Sequence, residues 1–162
     1  MIIIGIDPGL QITGYGVLKS DGVKIDILEA GIIKTNIKDN FENKLDEIYS
    51  EVGKVIKQFK PDYIAIEDLY SHYAHPKTAI IMGHARGMVF LLASQNMIPI
   101  VSYAATRIKK ALTGNGHATK IQMRKMIKST LALKDDLLSP DTADALSVAV
   151  CHHNAIMKGF SK

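Results

Sequence analysis

The amino-acid sequence predicts an α/β domain: a five-stranded mixed sheet flanked by helices on both faces. Three observations carry this. The first third alternates short apolar runs with turns rich in Gly, Pro and Asp, as consecutive antiparallel strands do. From residue 39 onward, stretches with apolar residues three and four apart alternate with two further short apolar runs, the pattern of β-α-β units. At 162 residues, 47% of them apolar and with no low-complexity tract, the chain is long enough to bury one real core as a single domain, 1–162.

The elements follow in order. Ile2-Ile3-Ile4-Gly5-Ile6 is a continuous apolar run, as in a strand buried on both faces, and Asp7 closes it. Gly9 and Gly14 punctuate a turn around Asp7-Pro8-Gly9. A second strand, Tyr15-Gly16-Val17-Leu18, runs to a hairpin turn at Ser20-Asp21-Gly22, and Val23–Lys34 is the third. A helix begins after Asp39 or Asn40, either of which suits the cap, with Glu42 placed for a capping box on Asp39. Leu45, Ile48, Tyr49, Val52, Val55, Ile56 and Phe59 form its apolar stripe, and Pro61 ends it. Tyr63–Glu67 is the fourth strand. A loop over 69–76, a helix over Lys77–Asn96 and a short fifth strand over Ile98–Ser102 come next. Helices over about 104–112 and 118–131 flank the loop 113–117. Ser139-Pro140 starts the last helix, with Ser at the N-cap and Pro at the first helical position.

Several classes are excluded or disfavoured. No apolar run approaches the ~18 residues of a membrane span. The opening Met1-Ile2-Ile3 lacks the basic start of a signal peptide. Cys151 is the only cysteine, so no intrachain disulfide forms, which fits a reducing compartment and a cytoplasmic protein; a small buried helix residue is its expected role. Net charge is only +4, but its layout is uneven. Between Asp68 and Asp135 there is no Asp or Glu, while Lys77, Arg86, Arg107, Lys109, Lys110, Lys120, Arg124, Lys125, Lys128 and Lys134 all fall there. A basic stretch beside acids gathered elsewhere suits a phosphate polymer lying across both.

The acids themselves stand at element ends. Asp7 closes the first strand, Glu67 closes the fourth, and Asp141 and Asp144, three apart, share one face of the last helix near its N-terminus. Each has an ordinary structural explanation taken singly: a turn former, a solvated strand end, two dipole-compensating aspartates. Carboxylates gathered in one pocket repel each other and call for a cation, and all-oxygen donors select Mg²⁺ or Mn²⁺. His72, His75, His117, His152 and His153 have no such company; His152-His153 is expected on the exposed end of the last helix.

The segment from Gly5 to Gly16, with Asp7-Pro8-Gly9 at its centre, resembles the opening motif of the RuvC-type Holliday-junction resolvases. Ala65-Ile66-Glu67 resembles their second motif and Asp141-Thr142-Ala143-Asp144-Ala145-Leu146 their third. Gly83-His84-Ala85-Arg86-Gly87 and Tyr103-Ala104-Ala105 are also similar to that family, so the likeness spans the chain in order. It implies a ribonuclease-H-like fold and a homodimeric endonuclease cutting four-way DNA junctions, active in recombination and repair, with a branch-migration helicase complex as partner. By the same resemblance Asp7, Glu67, Asp141 and Asp144 are the catalytic, metal-binding residues, holding two Mg²⁺ ions for which Mn²⁺ substitutes, and cleavage leaves 5′-phosphate and 3′-hydroxyl ends. Tyr70 stands where the family has an aromatic that meets crossover bases, and stacking suits unpaired bases. Lys109 and Lys120 match positions that touch the DNA backbone; Arg107, Lys110, Arg124, Lys125 and Lys128 add electrostatic attraction. Ala79, Gly83 and Gly87, four apart, make a small-residue helix face that serves either as the dimer contact, as the resemblance suggests, or as packing on the chain's own sheet. Three other readings compete: a nuclease of the same fold acting on RNA or other branched nucleic acid, an ATP-binding protein of the actin and sugar-kinase type, and a non-catalytic junction-binding module.

Overall fold

The structure, a computed structural model, describes residues 1–69, 76–133 and 139–160. Three antiparallel strands, β1 (Ile2–Asp7), β2 (Ile12–Ser20) and β3 (Ile25–Lys34), are followed by helix α1 (Phe41–Phe59), β4 (Tyr63–Glu67), α2 (Pro76–Gln95) and β5 (Ile100–Tyr103). Helices α3 (Ala105–Thr113), α4 (Lys120–Thr130) and α5 (Pro140–Phe160) complete the order. The sheet runs β3-β2-β1-β4-β5, antiparallel across β1–β2–β3 and parallel across β1–β4–β5. Among the described residues no helix is long and apolar enough to cross a membrane.

The central strand explains this arrangement. Ile3, Ile4 and Ile6 are fully buried because β1 is covered on both faces. One face carries Ile4, Ile6, Val17, Ile64 and Ile66 against Ile48, Val52 and Ile56 of α1 and Val89 and Leu92 of α2. The other carries Ile3, Leu18 and Ala65 against Ile108 of α3, Ile127 of α4 and Leu146 and Ala149 of α5. The parallel pairing of β1 with β4 aligns Ile6 with Ile66, so Asp7 and Glu67 leave the same edge of the sheet side by side.

Helix α5 reaches the sheet over glycines. A Cβ on Gly5 would lie 2.0 Å from the carbonyl oxygen of Ala145, one on Gly14 2.1 Å from that of Asp141, and one on Gly16 2.4 Å from Leu146 Cδ2. Real Cβ atoms do not approach so closely, so at Gly5 and Gly14 no other residue fits without moving α5, and at Gly16 the Leu146 side chain would have to shift. Gly14 is therefore not part of the turn expected of it. It lies inside β2, paired with Asp7, and is small because the helix backbone passes over it.

Local signals set the remaining boundaries. Asn40, not Asp39, caps α1, accepting from the Asn43 amide at 3.2 Å. Asp39 instead accepts from Asn36, so the Glu42 box does not form. Lys60, in the left-handed region at φ 46°, ends α1 just before Pro61. Thr119 and Gln122 form a capping box at the start of α4 that the sequence reading did not single out. Ser139 caps α5 as expected, its Oγ accepting from the Thr142 amide at 3.1 Å. The pair His152-His153 departs from expectation. Both are buried, because α5 continues to Phe160 and leaves them mid-helix. The His152 ring lies 4.8 Å from that of Tyr63, and its Nδ1 is 2.7 Å from the Tyr103 hydroxyl.

Candidate active site

Asp7, Glu67 and Asp144 line one cleft of about 240 Å³, with Pro8, Asp68, Leu69, Met82, Arg86 and Lys120. The strand ends supply the first two acids; the first turns of α5, seated on the glycines, supply the third. Asp141 stands one turn earlier on α5, beside the cleft rather than lining it, with its backbone over Gly14.

The electrostatics identify this place. The Asp7 carboxyl is pushed up from 3.8 to about 7, first by burial and then by the charges of Asp144, Glu67 and Asp141. Glu67 is also raised, by burial and then by Asp144, with Lys120, Lys109 and Arg86 pulling it back. Four acids share this space with one direct cationic partner for the α5 carboxylate: Lys120 Nζ sits 3.3 Å from Asp144 Oδ2. Its own pKa is raised, chiefly by Asp144. Among the described residues no three His, Cys, Asp or Glu side chains already converge as a closed metal-ligand set. Carboxylates that repel one another stay apart until a cation draws them in. The donor chemistry nonetheless fits a hard divalent cation: oxygen ligands only, surplus negative charge, and a buried carboxyl that gives up its proton near neutrality.

Arg86 is the residue that the sequence reading did not place here. It reaches from α2, stacks 5.0 Å from the Phe90 ring centroid, and donates to the Glu67 carbonyl oxygen, to Ser102 Oγ at 2.5 Å and to Asp68 Oδ1 at 3.2 Å. It thus ties the end of β4 to β5. The signal was available: an arginine in the otherwise apolar stretch 85–93 needs a partner within the fold.

The structure divides the other predicted residues. Lys109 acts electrostatically on Glu67 and Lys120 lines the cleft, so both belong to the acid site. Arg107 and Lys110 face elsewhere, toward the later part of α5. Arg124, Lys125 and Lys128 line the outer flank of α4 together with Ile121. Ala79, Gly83 and Gly87 lie on α2. Among the described residues a Cβ on Gly87 would meet nothing within 4 Å. Tyr70, His72, His75 and Lys134 lie outside the described residues. A larger groove, about 430 Å³, runs between α1 and β3, lined by Tyr15, Glu29, Glu51 and Lys54 among others. Its carboxylates Glu29, Glu47 and Glu51 stand beside Lys34 and Lys54, with Glu51 paired to Lys54 and Glu29 accepting from Tyr15 and Gln58, so their charge is already answered and size alone does not make it the reactive place.

Comparison with known proteins agrees with this geometry. A family model described as crossover junction endodeoxyribonuclease RuvC matches residues 3–152. A crossover junction endodeoxyribonuclease RuvC from Rhodopirellula baltica is 42% identical over 151 residues, covering 93% of this chain and 85% of that protein. One from Ruminiclostridium cellulolyticum is 42% identical over 159 residues, covering 98% and 95%. Among solved structures, T. thermophilus RuvC in complex with a Holliday junction substrate superposes with a TM-score of 0.92 at 31% identity, covering 98% of this chain and 96% of that one. The five-stranded mixed sheet is thus the ribonuclease-H-like fold.

Proposed function

The chain belongs to the RuvC family of crossover junction endodeoxyribonucleases, and from that premise we propose that it resolves four-way DNA junctions by paired, symmetric, divalent-metal-dependent nicks. The observation that carries the chemistry is the convergence of Asp7, Glu67 and Asp144 on one cleft, with Asp141 close enough to raise the Asp7 pKa.

Asp7, Glu67, Asp144 and Asp141 would hold two Mg²⁺ ions, with Mn²⁺ able to replace them. When bound, such a pair supplies Lewis-acid stabilisation to the attacking and departing oxygens of an in-line displacement at phosphorus, leaving 5′-phosphate and 3′-hydroxyl ends. Asp7, whose carboxyl burial and its acidic neighbours push up to about 7, would bind a cation as the carboxylate. Lys120, exposed and 3.3 Å from Asp144, would be placed to meet a phosphate oxygen beside the cleft. Lys109 adds positive potential on the same side. Arg86 acts as a positioning residue, holding the backbone that presents Glu67. Tyr70 follows Glu67 by three residues and is proposed to stack on crossover bases.

The chain is proposed to act as one nuclease domain and as a homodimer through α2. Ile80, Phe90 and Leu91 of that helix are exposed, and among the described residues a Cβ on Gly87 would meet nothing within 4 Å, which leaves room for a second helix. A two-fold dimer suits a nearly two-fold junction that needs two matched nicks. A branch-migration helicase acting on the same junction is the further partner that family membership implies.

The test is cleavage of a synthetic four-way junction in Mg²⁺ beside linear duplex, single-stranded DNA and an RNA–DNA hybrid, with Asp7→Asn as control. Paired nicks on the junction alone, lost in Asp7→Asn while binding persists, are expected. Cutting of the hybrid with an intact junction would overturn the assignment.

A further inference from the structure

A second cleft, about 210 Å³, opens between α3 and the later half of α5, lined by Arg107, Lys110, Asn154, Lys158 and Cys151 among others. Both of its walls come from acid-free sequence: α3 lies in the stretch between Asp68 and Asp135, and no Asp or Glu follows Asp144. Among the described residues none of the three cations makes an ion pair. Arg107 is nonetheless held. Its Cζ lies 4.9 Å from the Tyr103 ring centroid, and that buried ring is fixed in turn by the 2.7 Å contact of its hydroxyl with His152 Nδ1. The guanidinium is thereby presented to the cleft before any ligand arrives. Three unpaired cations converging on one recess repel each other unless an anion joins them.

We propose that this α3–α5 cleft is a second phosphate site, separate from the carboxylate cleft, which grips a backbone phosphate of a junction arm. The proposal rests on the junction-resolving function given above and extends it. Asp144 and Asn154 are ten residues apart on α5, which places the two clefts about 15 Å apart along the helix. At ~3.4 Å of axis per nucleotide along one strand, that spacing corresponds to about four to five nucleotides. One arm therefore reaches both sites. The basic residues accordingly divide into two groups: Lys109 and Lys120 serve the scissile region, and Arg107, Lys110 and Lys158 serve the arm.

Neutral methylphosphonates, introduced one at a time along each arm of a synthetic junction, test this. Binding is measured in chelator with the wild-type protein and with Arg107→Ala/Lys158→Ala. The wild type is expected to lose affinity when a phosphate about four to five nucleotides from the scissile one is neutralised. The double variant should bind more weakly overall and show no further loss at that phosphate, because the contact is already gone. Its dependence of log affinity on log salt should flatten by about one for each contact removed. Arg107→Lys/Lys158→Arg keeps the charges and should keep the sensitivity. The same interference pattern in the wild type and the alanine variant would overturn the proposal while leaving junction recognition intact. A wild type that binds linear duplex as well as the junction would instead sink the reading on which it rests.

Discussion

Asp7→Asn should stabilise the metal-free protein, and only above a definite pH. The folded Asp7 carboxyl has its pKa near 7 against 3.8 in an ordinary setting. Between those values the folded chain keeps a proton that the unfolded chain has lost. Stability therefore falls as pH rises through that window, and the full penalty is present above about 7. A shift of about 3 units at ~1.4 kcal/mol each gives on the order of 4 kcal/mol. Asparagine keeps the shape and removes the charge, and it also relieves Glu67, which is raised in the same cluster. In chelator the variant should melt with the wild type near pH 4 and about 10 °C above it at pH 8, taking ~2–4 °C per kcal/mol for a chain of this size. In excess Mg²⁺ the order should reverse, because metal binding stabilises only the protein that retains the ligand. Thermal melts at four pH values, with chelator and with Mg²⁺, give the result. A difference that does not change with pH, or a variant less stable at pH 8 in chelator, would refute the claim that repulsion and burial dominate this cleft.

Two further outcomes follow from the same geometry. Gly5→Ala places a methyl group against the Ala145 carbonyl, which cannot rotate away, so urea denaturation should show a loss of about 1–3 kcal/mol and cleavage should fall with it; unchanged stability would mean that α5 is not seated as described. Arg86→Lys keeps the charge but not the forked donor set that joins the Glu67 carbonyl, Ser102 and Asp68, so single-turnover cleavage should drop by roughly 10- to 100-fold with little change in junction affinity; full rescue by lysine would show that only charge matters there.

Much of this was legible in the sequence, for identifiable reasons. The buried run of β1 and the α1 stripe follow from simple periodicity, and both elements lie where the pattern puts them. The acids were legible because each stands at an element end, where the parallel pairing of β1 and β4 and the start of α5 bring them together. What was not legible depends on contacts between distant segments. Gly14 reads locally as a turn residue, and only the passage of α5 over β2 explains it. His152 and His153 read as polar and terminal, yet both are buried, and the tyrosines of β4 and β5 are what pack against His152. The basic residues of α3 looked like one patch in one dimension. A helix turns 100° per residue, so Arg107 and Lys110 line the cleft against α5 while Lys109 does not and instead acts through its charge on Glu67.

The glycine bed under α5 also acts as a mechanical stop. Backbone rests almost directly on backbone at Gly5 and Gly14, with no side chain between to compress. The helix can swing away from the sheet but cannot be pushed nearer. Motion of the α5 backbone along the normal to the sheet is therefore one-sided at these two contacts. The least separation of strand and helix backbone beneath the acids is thus set by main-chain contact, before any ligand arrives.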